Sequence, residues 1–301
     1  MTQSSLAQQL SDELAHAVEH VAPRVVFSRG RRGRAATGTI LDARSVVVSD
    51  HLIDGDEQIP LRTASGDVEG RLVGRDAGTD LALLDVAEGL PGAPPLAHAS
   101  ARTGDLVIAV GRSFSGVVAH PGFVTGESGP HHVSPGFTLA RIPHTSIAPF
   151  SGFSGGAIVN VRGELIGVAS SGLLRGHGLA VPGLDVARVV DALRRHGRLR
   201  RGYLGVTSIP VTLAGLQRAE SGSERGLLVT SVAPDSPADA ARILVGDVIT
   251  ALDGQAVRRP DDVVAYLTAE RVGRTASVSL VRGTQAFQVE ATIAERGGDQ
   301  R

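Results

Sequence analysis

The chain has 301 residues, 42% of them apolar, a formal net charge of -1 and only 3% aromatics with no Trp. That length suits two domains with cores built from Val, Leu, Ile and Ala, and the near-zero charge supplies no global field for nucleic acid or an anionic membrane. The chain has no Cys, which excludes disulfides, thiolate nucleophiles and Cys-ligated zinc. All its basic residues are Arg, a compositional bias that weakens any reading of Arg clusters as binding patches.

In chain order, Met1 to Val21 lacks a basic region followed by an apolar one, and no window approaches the length of a membrane-spanning helix. The chain as written is therefore expected in the cytoplasm, or outside it if the start is misassigned. Ser4 to Val21 predicts an amphipathic helix, residues 1–22 overall, with Leu6, Leu10, Leu14, Ala17, Val18 and Val21 on one face. Ser11 and Asp12 could cap its second turn, and Pro23 ends it. Its apolar face suits packing on the body of the protein or on a partner helix. Beyond Arg24 the apolar period shortens to that of strands: Val25–Phe27, Thr37–Leu41, Ser45–Ser49, Glu57–Arg62, Val68–Val73 and Leu81–Val86. Ser28 to Arg34, with four arginines and no aromatic for base stacking, reads as a solvated hairpin loop. After a Pro-rich loop at 91–95 a second series follows: Asp105–Val110, Val117–Val118, Phe137–Ile142, Ala157–Val161 and Glu164–Ser170. Two sets of about six short strands fit a pair of small β-barrels. Pro182 to His196 predicts a helix, and an Arg-rich stretch ending at Arg201 suits its C-terminal dipole. A boundary is placed near residue 198, with a smaller unit of alternating strands and helices over 199–296 and a tail at 297–301.

Ser151-Gly152-Phe153-Ser154-Gly155-Gly156 places a serine among glycines, a turn that can expose a hydroxyl and aim two backbone N–H groups at one point. A serine nucleophile needs a base and a carboxylate to orient it. His51, at the end of one apolar run, and Asp80, just before another, supply both. Gly152 to Gly156 also fits the G-x-S-x-G elbow of α/β-hydrolases, but that elbow needs a helix after the serine and the acid and His downstream. Here strand follows and the order is His, Asp, Ser, that of a chymotrypsin-like double barrel. His131, His132 and His144 have no further ligand at metal-binding spacing, and neither metal nor cofactor is implied.

The chain resembles the HtrA/Deg family of trypsin-like serine proteases with a C-terminal PDZ domain. The resemblance is carried by Ser49-Asp50-His51-Leu52-Ile53-Asp54-Gly55, Val73 to Leu84 around Asp80, Gly152 to Gly156, and Gly163 to Val168. In the second unit it is carried by Arg201 to Val206 and Gly246-Asp247-Val248-Ile249. It implies a mainly β fold: a double barrel over 23–198, then a small α/β PDZ domain. It implies a serine endopeptidase acting on unfolded or damaged proteins, with Ser154 as nucleophile, His51 as general base and then acid, and Asp80 as its orienter. Gly152 and Ser154 N–H would form the oxyanion hole, and Val168, Ala169, Ser170 and Ser171 the wall of a specificity pocket for small or medium apolar side chains. Gly202, Tyr203, Leu204 and Gly205 would hold a peptide C-terminus, which adds as a strand beside Val206 with Val263, Val264 and Leu267 lining the groove. A homotrimer is a further implication of the family. The other reading is a latent or inactive protease fold acting as a peptide-binding, chaperone-like protein. The chain departs from the family pattern at Asp50, Ser146, Ser151, Phe153 and Ala157. A base at His51 predicts activity that falls as pH drops through about 6–7.

Overall fold

The computed structural model describes residues 5–30, 33–53, 58–87, 89–97, 100–134, 137–139, 141–148, 152–172 and 178–296. Asp54, Gly55, Ser151 and the tail at 297–301, all named above, lie outside these residues. The chain divides into two compact units, Met1–His131 with Leu139–Leu199, and His132–Thr138 with Arg200–Arg301.

The first unit opens with helix α1 (Leu6–Val21). Its N-cap is Ser5, whose hydroxyl accepts the Gln8 N–H, so Ser11 and Asp12 lie inside the helix rather than capping it. Ala17 and Val21 are buried, but Leu6 and Leu10 are 85% and 50% exposed, so only the C-terminal part of the apolar face is covered. Six strands follow: β1 (Val25–Arg29), β2 (Ala35–Asp42), β3 (Ser45–Ser49), β4 (Ile59–Arg62), β5 (Asp67–Asp76) and β6 (Leu81–Val86). They close into a barrel in the order β1-β2-β3-β6-β5-β4. Its core is aliphatic, with Val26, Ile40, Val46, Val48, Leu61 and Leu84 among its buried members.

The second barrel uses β7 (Leu106–Ser113) and β8 (Gly116–Ser128), and a two-stranded ribbon of β9 (His131–Ser134) and β10 (Phe137–Leu139) interrupts the sequence before it resumes. It continues with β11 (Ile142–Thr145), β12 (Ala157–Asn160), β13 (Leu165–Ser170) and β14 (Gly178–Pro182), and closes in the order β11-β14-β13-β12-β7-β8. Alternation on β12 serves two layers. Ile158 packs with Val107, Ala109, Val124 and Phe153, while Ala157 and Val159 pack on the other face with Ala17 and Val21 of α1. Helix α2 (Gly183–His196) follows, buries Val186, Val189, Val190 and Leu193, and ends at Gly197 with φ +69°. The fold is thus the mainly β double barrel that the strand spacing predicts.

The second unit has its own core. A short β15 (Gly202–Tyr203) leads into β16 (Val206–Thr212), α3 (Gly215–Ser221), β17 (Arg225–Val232), α4 (Pro237–Ala240), β18 (Val248–Leu252), β19 (Gln255–Ala256), α5 (Pro260–Tyr266), β20 (Thr275–Arg282), β21 (Gln285–Thr292) and β22 (Ala294–Glu295). The main sheet runs β16-β17-β18-β20-β21, so β16 is an edge strand, and it carries Pro210. Leu204, Leu227, Val229, Ile249, Val278 and Leu280 fill the core beneath α5 residues Val263 and Tyr266.

Candidate active site

His51 and Asp80 meet because of strand register. Fully buried β3 pairs antiparallel with β6, with Ser49 opposite Leu81. The residues just past the end of β3 therefore lie beside the residue just before β6. Asp50 to Leu52 form one 3-10 turn, and Asp50 N–H donates to the Asp80 carbonyl at 3.1 Å. Asp80 itself has φ +56°, a conformation that Asp tolerates better than most residues. The turn leading to it is tied by the Asp76 carboxylate, which accepts the Thr79 N–H and hydroxyl at 2.8 and 3.0 Å.

The His51 imidazole sits with Nδ1 2.8 and 3.0 Å from the two Asp80 oxygens, and its backbone N–H donates to Asp80 Oδ1 at 3.0 Å. Ser170 Oγ donates to Asp80 Oδ2 at 2.5 Å. Burial pushes the Asp80 carboxyl up, but the hydrogen bonds from His51 and Ser170 outweigh it and hold the group below its ordinary value. His51 is held above its ordinary value, first by the bond to Asp80 and, against the opposing effect of its own burial, by the charges of Asp80 and Asp50. With Nδ1 committed to Asp80, Nε2 is the nitrogen left to take a proton.

Ser154 stands on the turn in front of β12, and β2 of the other barrel holds that turn in place. Thr37 N–H donates to the Ser154 carbonyl at 3.1 Å, the Thr37 hydroxyl to the Gly152 carbonyl at 2.6 Å, and the Thr39 hydroxyl to the Gly155 carbonyl at 2.8 Å. Gly155 has φ +88°, and a Cβ there would lie 2.0 Å from the Thr37 carbonyl oxygen, so no side chain fits. Gly152 also has positive φ, +99°. Neither Gly152 N–H nor Ser154 N–H donates to any of the described residues. The Phe153 side chain points away from this surface. It is 7% exposed, packs in the second-barrel core, and meets the His120 ring edge-on at 5.3 Å.

The four residues expected to wall a specificity pocket divide. Val168 is fully buried within the sheet, opposite Ala157 and Val181. The Ala169 carbonyl accepts Gly155 N–H at 2.8 Å, and its N–H donates to Gly156 at 2.8 Å. Ser170 donates to Asp80, and Ser171 lies against the nucleophile. Ser171 Oγ is 2.7 Å from Ser154 Oγ and 3.4 Å from His51 Nε2, and no direct Ser154–His51 hydrogen bond is formed. Sequence reasoning did not find this contact, nor the bond at 2.5 Å from Arg75 Nε to Asp50 beside His51. Among the described residues no cluster of side chains could hold a metal ion.

In the second unit Gly202 N–H donates to the Leu267 carbonyl at 3.0 Å, and the Leu204 side chain is buried. Gly205 has φ +90°, and a Cβ there would lie 2.2 Å from Ser236 Cβ. The Leu204 and Gly205 N–H groups donate to none of the described residues. Val206 begins the edge strand and packs with the cluster holding Val263 and Leu267, which are 7% exposed, while Val264 is half-buried.

Comparison with known proteins gives this arrangement its family. Residues 36–168, which contain His51, Asp80 and Ser154, match a trypsin-like peptidase domain, and residues 202–293 match a PDZ domain. Serine endoprotease DegS of Escherichia coli strain K12 is 30% identical over 305 residues, covering 93% of this chain and 85% of DegS. The chain belongs to the HtrA/Deg family of serine endoproteases. A probable periplasmic serine protease do/HhoA-like of Haemophilus influenzae is 29% identical, and a probable periplasmic DegP-like endoprotease of Brucella suis is 32% identical. The chain spans 61% and 51% of their lengths. The crystal structure of the serine endoprotease from Yersinia pestis superposes with a TM-score of 0.78 at 29% identity, covering 99% of this chain and all of that one. An HtrA-type protease, AlgW with a decapeptide, gives 0.77 at 25% identity over 95% of this chain and 99% of that one. These relatives correct the cytoplasmic expectation. It rested on the lack of a leader in the first residues, whereas related endoproteases carry periplasmic names and point outside the cytoplasm. No helix among the described residues is long and apolar enough to cross a membrane.

Proposed function

We propose that this HtrA-type endopeptidase hydrolyses peptide bonds in unfolded or damaged polypeptides, with Ser154 as nucleophile, His51 as base and then acid, and Asp80 as the group that fixes the imidazole. The observation that carries the reading is the His51–Asp80 pair, 2.8 Å apart, facing a serine on a turn with two uncommitted N–H groups. His51 Nε2 takes the Ser154 proton as Oγ attacks the carbonyl carbon, Asp80 stabilises the imidazolium that results, and the proton then goes to the leaving amine. Gly152 and Ser154 N–H would receive the oxyanion; one such donor is worth about 3 kcal/mol in related hydrolases. The small residues from Val168 to Ser171 favour small or medium apolar side chains before the scissile bond.

In the PDZ domain, the uncommitted Leu204 and Gly205 N–H groups would hold a peptide carboxylate, and the peptide would add along β16 beside Val206, with Val263, Val264 and Leu267 lining the groove. Assembly as a trimer belongs to the same reading and is checked by sedimentation. An inactive, chaperone-like fold is not favoured, since relatives over most of the chain are endoproteases.

The test is Ser154→Ala. Casein cleavage should fall by on the order of a million-fold in kcat, and labelling by a fluorophosphonate should vanish. Wild-type protein that neither cleaves nor labels would refute the assignment.

A further inference from the structure

Ser171 stands between the nucleophile and its base, and the local chain leaves it little choice. Ser170 Oγ donates to Asp80 Oδ2 at 2.5 Å and accepts the Gly172 N–H at 3.2 Å. Gly172 packs so close to Asp80 that an added Cβ would come within 2.7 Å of the carboxylate. The residues on both sides of Ser171 are thus anchored on Asp80, and the Ser171 hydroxyl is presented to Ser154 and His51. Its two contacts are unequal: 2.7 Å to Ser154 Oγ is a strong O–H···O bond, while 3.4 Å to His51 Nε2 is at the outer limit. Asp80 holds Nδ1, so Nε2 must both take the Ser154 proton and return it to the leaving amine. That amine is bonded to the carbon under attack. A hydroxyl interposed between Ser154 and Nε2 replaces the direct contact through which the first transfer runs.

We propose that Ser171 is a positioning residue that latches the nucleophile: in the resting enzyme it holds Ser154 Oγ off His51, and Ser154 must leave it to become reactive. The inference rests on the assignment of Ser154 as nucleophile and His51 as base. Release breaks no covalent bond. The Ser154 hydroxyl turns away from Ser171 Oγ to donate to His51 Nε2, and the hydroxyl of the half-buried Ser171 turns to solvent.

The experiment measures fluorophosphonate labelling rates and steady-state peptide cleavage for wild type, Ser171→Ala and Ser171→Thr, with Ser154→Ala as the blank and thermal melting to confirm that each variant is folded. The latch requires Ser171→Ala to label and turn over several-fold faster, with the gain carried by kcat rather than by KM. Ser171→Thr, which keeps a hydroxyl, returns the rate to that of wild type. Labelling of wild type together with an equal or slower rate for Ser171→Ala overturns the latch and leaves the nucleophile standing. A Thr variant as fast as the Ala variant assigns the effect to packing and also overturns it. Failure of both wild type and Ser171→Ala to label removes the nucleophile assignment and the latch with it.

Discussion

His51 is set by its neighbours to titrate above its ordinary value of 6.5, and the sign of that shift has opposite consequences for activity and stability. A base must be neutral, so activity is lost as pH falls through the raised value, and the acid limb should lie above the ordinary histidine value. For stability the direction reverses. The protonated imidazole is the better partner for Asp80, so its contribution is full below the unfolded value and is lost as pH rises through the folded one. Asp50 is the charge most open to test. Arg75 binds its carboxylate through Nε at 2.5 Å and its carbonyl through a terminal nitrogen at 3.3 Å, fixing it beside His51. Asp50→Asn should move the acid limb of kcat/KM to lower pH, and a pH profile that superposes on wild type would exclude this effect. The residues of the proposed triad could be named from the sequence because each is marked by the runs that flank it and by their order along the chain. Asp50 drew notice only as a departure, because its partner lies 25 residues away on another strand, and the Ser171 contact with Ser154 gave no signal because its direction depends on two neighbours bound to Asp80.

Among the elements, the turn around Ser154 depends most on a single position. Gly155 combines φ +88° with a backbone contact that leaves no space for a Cβ. Gly155→Ala must accept the left-handed penalty of about 1–2 kcal/mol and also displace Thr37, which ties the two barrels across the site. We expect a loss of at least ~2 kcal/mol in denaturant unfolding and a larger proportional loss of labelling at Ser154; a variant as stable as wild type would show that the turn can relax. Strand placement from sequence succeeded where apolar runs are continuous, as in β3 and β6. It was incomplete where they are not. Only Val117-Val118 marked β8, because His120, Pro121 and Gly122 interrupt its apolar pattern, yet the strand runs for 13 residues, pairing with β7 over Gly116–Phe123 and with β11 over Val124–Ser128. Phe137–Ile142 was expected as one strand and divides between β10 and β11. The short β14 followed a Gly-rich stretch and gave no signal. At α1 the periodic face was read correctly, but periodicity does not say how much of a face finds a partner.

Over the whole molecule, each unit closes its core from its own residues. The PDZ core runs from Leu204 to Ile293, and the barrel cores draw on residues up to Ala180. Leu227→Ala, at a fully buried PDZ position, should therefore cost about 2–5 kcal/mol in that domain while leaving the labelling rate of Ser154 unchanged. Parallel loss of both would mean that the two cores unfold as one. The edges of the sheets are distributed just as unequally. Both barrels are closed and expose no free strand, whereas β16 is open along one side. Pro210 interrupts that open side, because it has no N–H to offer an added strand. On the proposed docking, a peptide anchored by its carboxylate near Gly205 would pair along Val206 to Ile209 and then lose its ladder. Lengthening such a peptide at its far end should leave its affinity unchanged in calorimetric titration, and a steady gain with length would show that pairing continues past Pro210. The edge would then act as a ruler, reading the end of a chain over a fixed short span and giving no template for a strand to extend indefinitely.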